Sequence, residues 1–130
     1  QERRSEPAMS LREILSLMGV NQEELLHRFC DNEALLERFI RKFPQEETYS
    51  RLAAAVEAGD AELMLNTSHT LKGITANMGF NQLYQLSADM VTSLRAGEEA
   101  KAAEIFPELA KEYRRLTALI ARLDEEETEK

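Results

Sequence analysis

Apolar residues recur along most of the chain at the spacing of helix faces, and no convincing alternating run indicates a strand. Glycine, proline and capping residues divide this pattern into six or seven segments. The segments lie at about residues 10–18, 21–29, 31–43, 45–58, 60–78, 81–96 and 98–123. The pattern therefore predicts an all-α protein.

Capping signals define the ends of several of these helices. Ser10 with Glu13 predicts a capping box at the first helix, and either Asp31 or Asn32 caps the third. Asn81 is expected to cap the sixth helix. The third helix is expected to turn five apolar residues inward: Leu35, Leu36, Phe39, Ile40 and Phe43.

The last helix carries the longest regular apolar stripe. Its members alternate in steps of four and three: Ala102, Phe106, Leu109, Tyr113, Leu116, Ile120 and Leu123. Such a stripe predicts a helix packed along its length in an antiparallel bundle. Pro107 lies within it and predicts a kink, or a break that makes residues 98–105 a separate short helix.

The helix that begins after Asp60 carries the candidate chemistry. At about 100° per residue, its apolar stripe spans about 80° and consists of Leu63, Thr67, Leu71, Ile74 and Met78. His69 lies about 160° from the centre of that stripe and is expected to face solvent. Lys72 follows one turn later on the outer side, and Gly73 lies directly above His69 at the i+4 position.

This arrangement suits phosphoryl transfer. Neutral imidazole offers a lone pair at physiological pH, so an exposed His69 can act as a nucleophile without a separate base. Lys72 would offset charge on the transferring oxygens, and Gly73 leaves room for the donor. Since the sequence holds neither a glycine-rich phosphate loop nor a cluster of metal-binding carboxylates near His69, the phosphoryl group must arrive on a partner.

Composition narrows the possible partners and the cellular setting. A net charge of -8 argues against a nucleic-acid or anionic-membrane surface. Cys30 is the only cysteine, which excludes an intramolecular disulfide and suits the cytoplasm. No apolar run is long enough to span a bilayer, so this fragment is expected to make no direct membrane contact. A larger parent, including a membrane-anchored sensor kinase, is compatible with these features.

Three segments are expected along the chain. Residues 1–9 are charged, contain a proline and predict a linker or leftover segment. Residues 10–123 form the helical domain, and residues 124–130 form an acidic tail.

The run His69-Thr70-Leu71-Lys72-Gly73, with Gly79 six residues after Gly73, resembles the signature of histidine-containing phosphotransfer (HPt) domains. These are modules of bacterial and fungal phosphorelays. The upstream segments "NEALLERFI" and "AAVEAGD" are similar to those in HPt domains of hybrid sensor kinases. The resemblance covers residues 31–97 well and the ends poorly.

The resemblance implies an antiparallel four-helix bundle, here with additional short N-terminal helices. His69 would accept a phosphoryl group from the aspartate of one response-regulator receiver domain and pass it to another. Lys72 would stabilise the phosphate, Gly73 would clear access and Gly79 would form a turn. No intrinsic cofactor is expected, and Mg²⁺ would be carried by the partner receiver.

The chain departs from the family pattern on the following helix. Val91 aligns where family members often place a Gln or Glu that supports the histidine. Asp89 and Thr92 are the alternatives, and the sequence does not choose between them.

Three residues are candidates for partner docking. Leu65 lies one turn before His69, and Ala76 continues the outer face. Arg95 would add positive charge near the docking face; a helix-end cation interacting with the helix dipole is an equally good interpretation.

Two other functions remain open from the sequence. One is the phospho-acceptor domain of a chemotaxis-type histidine kinase, in which the donor would be ATP on another domain. The other is a helical scaffold that binds partners without transfer. No metal site is predicted, because His27 and His69 would need two further ligands that no spacing indicates.

Overall fold

The computed structural model describes residues 8–123, so the predicted tail 124–130 and all but the last two residues of the predicted linker 1–9 lie outside the described residues. Seven α-helices follow one another within residues 8–123: α1 (Leu11–Met18), α2 (Gln22–Arg28), α3 (Glu33–Lys42), α4 (Thr48–Ala58), α5 (Ala61–Met78), α6 (Asn81–Arg95) and α7 (Glu99–Ile120). Within the described residues, β pairing is limited to an isolated bridge between Met9 and Leu123. The predicted all-α class is confirmed.

Residues 45–114 form one compact unit, which contains α4, α5, α6 and α7 as far as Arg114. Short turns connect the helices, and α5 packs against both α4 and α6. Tyr49 of α4 stacks on Tyr113 of α7, with ring centroids 3.7 Å apart. These contacts give the predicted antiparallel four-helix bundle. Its centre is filled by side chains that are almost fully buried: Leu52, Met64, Leu71, Leu83, Met90 and Leu109.

The other compact unit combines residues 8–44 with residues 115–123. It contains α1, α2, α3 and the last part of α7. Ser10 and Glu13 form the predicted capping box, in which the Glu13 N–H donates to Ser10 Oγ at 3.2 Å. The Arg115 guanidinium donates to the backbone carbonyls of Leu17 and Met18 at 3.1 and 3.3 Å. These bonds tie the end of α7 to the end of α1.

The sequence predicts a kink or a break at Pro107, and the break is wrong because α7 continues through the proline. Proline inside a helix costs about 3 kcal/mol. Ala102 and Leu109, on either side of it, are both fully buried. Burial along the unbroken apolar stripe offsets the missing backbone bond, so the helix persists.

Two expectations about caps and faces also need correction. Asn81 is the first residue of α6, not its cap, and the preceding Phe80 makes no side-chain capping bond. Phe80 is instead anchored by burial, with only 2% of its surface exposed. Phe39 was expected to face inward but is 46% exposed, and it packs edge-on against Phe29 at 5.1 Å. Aromatic contact at the surface therefore replaces core burial for this side chain.

None of the helices in residues 8–123 has the length and apolar character needed to cross a bilayer.

Candidate functional site

Helix α5 holds the candidate site, and both of its ends are fixed locally. The Asp60 side chain accepts a hydrogen bond from the Leu63 N–H at 3.1 Å, which caps the start of the helix. Gly79 ends it in the left-handed conformation, with φ 72°. The Phe80 N–H then donates back to the Thr75 carbonyl at 3.0 Å. His69 therefore lies in the interior of a well-terminated helix, where its backbone direction is set.

The buried face of α5 differs from the predicted stripe. Leu63 and Ile74 are only half-buried, and the face consists of Met64, Thr67, Ser68, Leu71, Thr75 and Met78. The stripe is thus rotated by about 50° at 100° per residue. Apolar spacing missed this because hydroxyl side chains belong to the core.

Those hydroxyl groups satisfy their hydrogen bonds within the helix. Thr75 Oγ1 donates to the Leu71 carbonyl at 2.8 Å, and Thr67 Oγ1 donates to the Leu63 carbonyl at 2.7 Å. A buried hydroxyl with a partner avoids most of the desolvation penalty. Small hydroxyl residues can therefore pack inside the bundle as apolar ones do.

The opposite face of α5 presents His69 to solvent, as predicted. Gly73, one turn later, is also exposed, and Lys72 is half-buried on the same side. Asn66, one turn before His69, is exposed as well, a neighbour that the sequence interpretation did not use. Because Asn66 is three residues before His69, helical spacing alone places the two side chains next to each other.

No side chain of the protein packs closely against the backbone of Gly73. A Cβ atom built on Gly73 meets nothing within 4 Å. Helical side chains lean toward the helix amino terminus, so a longer side chain at position 73 would extend toward His69. The role of Gly73 in keeping His69 accessible stays a prediction.

The other expected site residues lie on or beside this helix. Leu65 is half-buried and Ala76 is exposed, both on α5, while Arg95 is the exposed last residue of α6. On α6, Val91 is only 2% exposed. Asp89 is exposed and accepts a hydrogen bond from the Gln85 side chain at 3.0 Å. Thr92 is exposed too.

His27 lies on α2 beside an open concavity of about 540 Å³ that is lined by Asn21, Glu23, Glu24, His27 and Asp31. Among residues 8–123, no three His, Cys, Asp or Glu side chains are grouped so that they could share a metal ion.

A sequence model of the Hpt domain matches residues 34–126, which is most of the chain. The chain belongs to the Hpt domain family. The predicted resemblance is thus confirmed, and with it a general role in histidine phosphotransfer. Hpt domains as a group interact with response-regulator receiver domains. In this Hpt domain the matched region begins within α3, so α1 and α2 precede it.

A solved structure is similar over nearly the whole of this Hpt domain. It is the crystal structure of histidine-containing phosphotransfer protein B from Pseudomonas aeruginosa PAO1, with a TM-score of 0.57 and 28% sequence identity. The similarity covers 90% of this chain and 94% of that one. No curated protein matched the sequence significantly.

Proposed function

We propose that this Hpt domain is a phosphorelay intermediate, in which His69 accepts a phosphoryl group from the aspartyl phosphate of one receiver domain and passes it to the aspartate of another. One observation carries the proposal: a solvent-facing His69 shares its helix face with a lysine one turn later and with bare backbone at Gly73. The relay role goes beyond the general function of the family.

The first transfer can be written on this chain's own atoms. A neutral ring nitrogen of His69 donates its lone pair to phosphorus, so a P–N bond forms while the P–O bond to the aspartate breaks. The carboxylate leaves with the electron pair of that bond. The imidazole then carries the phosphoryl group, and the proton on its other nitrogen is free to exchange with water. The second transfer is the reverse of these events toward a different carboxylate.

Lys72 supplies the charge that this chain contributes to the transfer. Its half-buried position lets the ammonium group reach the outer face one turn from His69. A fixed cation beside the transferring oxygens lowers the barrier because their charge is already balanced when the donor arrives. Mg²⁺ is proposed to come with the receiver, where it would neutralise further charge on the phosphoryl oxygens.

Docking is proposed to involve the surface around His69. Leu65 offers partly exposed apolar area one turn before the histidine, and Ala76 offers a small exposed side chain two turns after it. Arg95 adds positive charge at the end of α6. Replacement of Leu65 by Arg should weaken receiver affinity if that side chain is a contact, and unchanged affinity and rate would remove it from the docking surface.

The deciding experiment is intact-mass analysis of this domain after mixing with receiver domains charged by acetyl phosphate. Wild type should gain one phosphoryl group that is labile in acid and stable in base, and His69→Gln should gain none. A second, uncharged receiver added afterwards should then remove the group from wild type. That second step separates a relay intermediate from a terminal acceptor.

Two outcomes would favour the other candidates. Direct charging by an ATP-bound kinase domain, without any phosphorylated receiver, would favour the phospho-acceptor domain of a chemotaxis-type kinase. Equal receiver binding by wild type and His69→Gln, with phosphate on neither, would favour a scaffold. Circular dichroism of both proteins controls for loss of fold.

A further inference from the structure

Charge is distributed unevenly along this acidic protein. Charged residues make up 31% of the whole chain, yet residues 61–95, which hold α5 and α6, contain only Glu62, Lys72, Asp89 and Arg95. The two positive and two negative charges cancel, so the net charge of -8 comes from the rest of the sequence. Depletion of charge is a feature of the buried centre of protein interfaces.

The few charges of this hairpin are also unevenly placed along it. No formally charged side chain occurs between Lys72 and Asp89, a stretch that contains the turn from α5 to α6. Besides Gly73, its exposed residues have small or amide side chains: Ala76, Asn77, Asn81, Gln82 and Gln85. We call these five residues the turn-side surface. It is continuous with His69 through Gly73.

The opposite end of the bundle is acidic. In an antiparallel bundle, the α4–α5 and α6–α7 turns lie together, away from the α5–α6 turn. Five exposed acidic residues surround these two turns: Glu57, Asp60, Glu62, Glu98 and Glu99. Arg95 and Lys101 are the cations near them, and Lys101 pairs with Glu98 at 3.9 Å. Exposed Glu46 and Glu47 at the start of α4 lie toward the α5–α6 turn, so the difference in charge belongs to the α5–α6 hairpin and not to the whole ends of the bundle.

The reactive groups are themselves displaced toward the turn. Lys72 and Gly73 both follow His69 by one helical turn, and a built Cβ at Gly73 meets open space. On the amino-terminal side of His69, Leu65 is half-buried and α5 itself carries no Lys or Arg. Open backbone, the cation of α5 and the uncharged surface therefore lie in the same direction along this helix.

We propose that the docking footprint of the receiver is offset from His69 along α5, toward the α5–α6 turn, and covers the turn-side surface. The proposal rests on the proposed phosphorelay function and adds the direction of docking. The occupant is a receiver surface that carries an aspartyl phosphate, whose anionic groups would be repelled by the acidic end of the bundle. Like charges that face one another across an interface are unfavourable, so the charges of the α5–α6 hairpin favour docking on the turn side.

The proposed footprint places the three docking candidates at different positions relative to the receiver. Ala76 lies inside the footprint, and Leu65 lies at its edge. Arg95 is at the far end of α6 and acts only through long-range attraction, which added salt will screen.

The helix offers two exposed positions at equal distance from His69 for a matched test. Glu62 is seven residues before it and Ala76 is seven residues after it, on the same helix face. At each position a Glu can be compared with a Gln of the same size. Wild type is compared with Glu62→Gln, and Ala76→Glu is compared with Ala76→Gln. Both pairs change one charge and almost no volume.

The measurement is the rate of phosphoryl transfer from a receiver charged by acetyl phosphate, at low and at high ionic strength. The receiver is the one that charges wild type fastest in the intact-mass assay. Ala76→Glu should transfer about tenfold more slowly than Ala76→Gln at low salt. Wild type and Glu62→Gln should agree within about twofold. High salt should reduce the difference at position 76, since exposed charges are screened.

Equal effects at the two positions, or a larger one at position 62, would overturn the offset while leaving the relay intact. A wild type that accepts no phosphoryl group would overturn the proposed function, and the docking proposal with it. Sedimentation of the domain alone tests another occupant. A wild-type dimer that Ala76→Glu dissociates would assign the turn-side surface to a second copy of this chain and contradict receiver docking.

Discussion

Helices α5 and α7 both contribute to the bundle, but their outer faces differ. The exposed face of α7 is dense in charge: Glu99, Lys101, Glu104, Glu108, Lys111, Arg114 and Arg115. Among the exposed residues of α5 a single one is charged, Glu62, and the others are Asn66, His69, Thr70, Gly73, Ala76 and Asn77; the half-buried Lys72 lies on the same side. A charged outer face keeps a helix in water, whereas a face with few charges is suited to contact.

The inner faces of α5 and α7 also differ in polarity. The stripe of α7 is apolar and regular, and it holds the helix together even across Pro107. The buried face of α5 contains Thr67, Ser68 and Thr75, which bond to their own backbone. Because its core side is made partly of small hydroxyl residues, α5 depends on the helices around it. The comparison separates a helix that stabilises the bundle, α7, from the helix that holds the proposed phosphotransfer site, α5.

The largest effect on stability should come from α7. Leu109 is fully buried, and Leu109→Ala should lower the free energy of unfolding by about 2–5 kcal/mol through lost burial and a residual cavity. Phosphoryl transfer at a temperature where the variant is folded should stay at the wild-type rate. Urea denaturation measures the first quantity. The exposed Lys111→Ala serves as the control on the same helix, with a change within about 0.5 kcal/mol.

Lys72 is expected to affect the rate of phosphoryl transfer and not the stability of the protein. Lys72→Ala should slow phosphoryl transfer by about 100-fold, because a fixed positive charge beside the transferring oxygens is lost. Its free energy of unfolding should change by less than about 0.5 kcal/mol. Single-turnover transfer kinetics provide the test. A transfer rate equal to that of Lys111→Ala would show that Lys72 takes no part in the chemistry.

Gly73 should show opposite changes in stability and activity. Gly73→Ala should raise the free energy of unfolding by about 0.5–1 kcal/mol, since alanine is the better helix former and its Cβ meets open space. Transfer should slow, because the added methyl group occupies part of the open space beside His69 through which the phosphoryl donor is proposed to approach. Gly59→Ala is the contrasting control, where φ 69° makes any side chain strained and stability should fall. A faster Gly73→Ala would contradict the access role.

The smallest effect concerns the aromatic contact between α4 and α7 at high pH. Burial raises the pKa of Tyr49 and of Tyr113 above 10.0; for Tyr113 the neighbouring Tyr49 and Glu46 add to the shift, and for Tyr49 the nearby Arg114 opposes it. The unfolded chain therefore ionises first as pH rises. Stability from the protonated pair is fully present below pH 10.0 and is lost as pH rises through the raised pKa values.

The measurement is the free energy of unfolding between neutral pH and about pH 11, for wild type and for Tyr113→Phe. The variant should lose less stability over the alkaline part of this range, because one of the two titrating groups is gone. Parallel curves would show that the stacked pair does not contribute to the alkaline loss.

Several helix ends were predicted correctly from local capping residues. Ser10 with Glu13 defined a capping box, Asp60 capped α5 and Gly79 ended it. Such signals are short-range, because the cap and the groups that it satisfies are within four residues. The solvent-facing position of His69 was equally predictable from its angle on the helix.

The errors occurred where packing between helices outweighs local preference. Pro107 did not break α7, because burial on both sides of it offsets the cost of the proline. Phe39 is exposed although its spacing placed it inside, and Thr75 is fully buried although it is polar. A hydrophobicity pattern does not predict the burial of these residues. Their burial depends on which helix packs against each face and on hydrogen bonds made within the helix.

The sequence by itself determined the helical class, the order of the helices, the family signature around His69 and the absence of charge between Lys72 and Asp89. These properties depend on the identity and spacing of residues along one chain. The tertiary structure decided the true buried face of α5, the open space above Gly73 and the clustering of acidic residues from two separate turns at one end of the bundle. Each of these follows from which helices pack together, and a linear pattern does not contain that information.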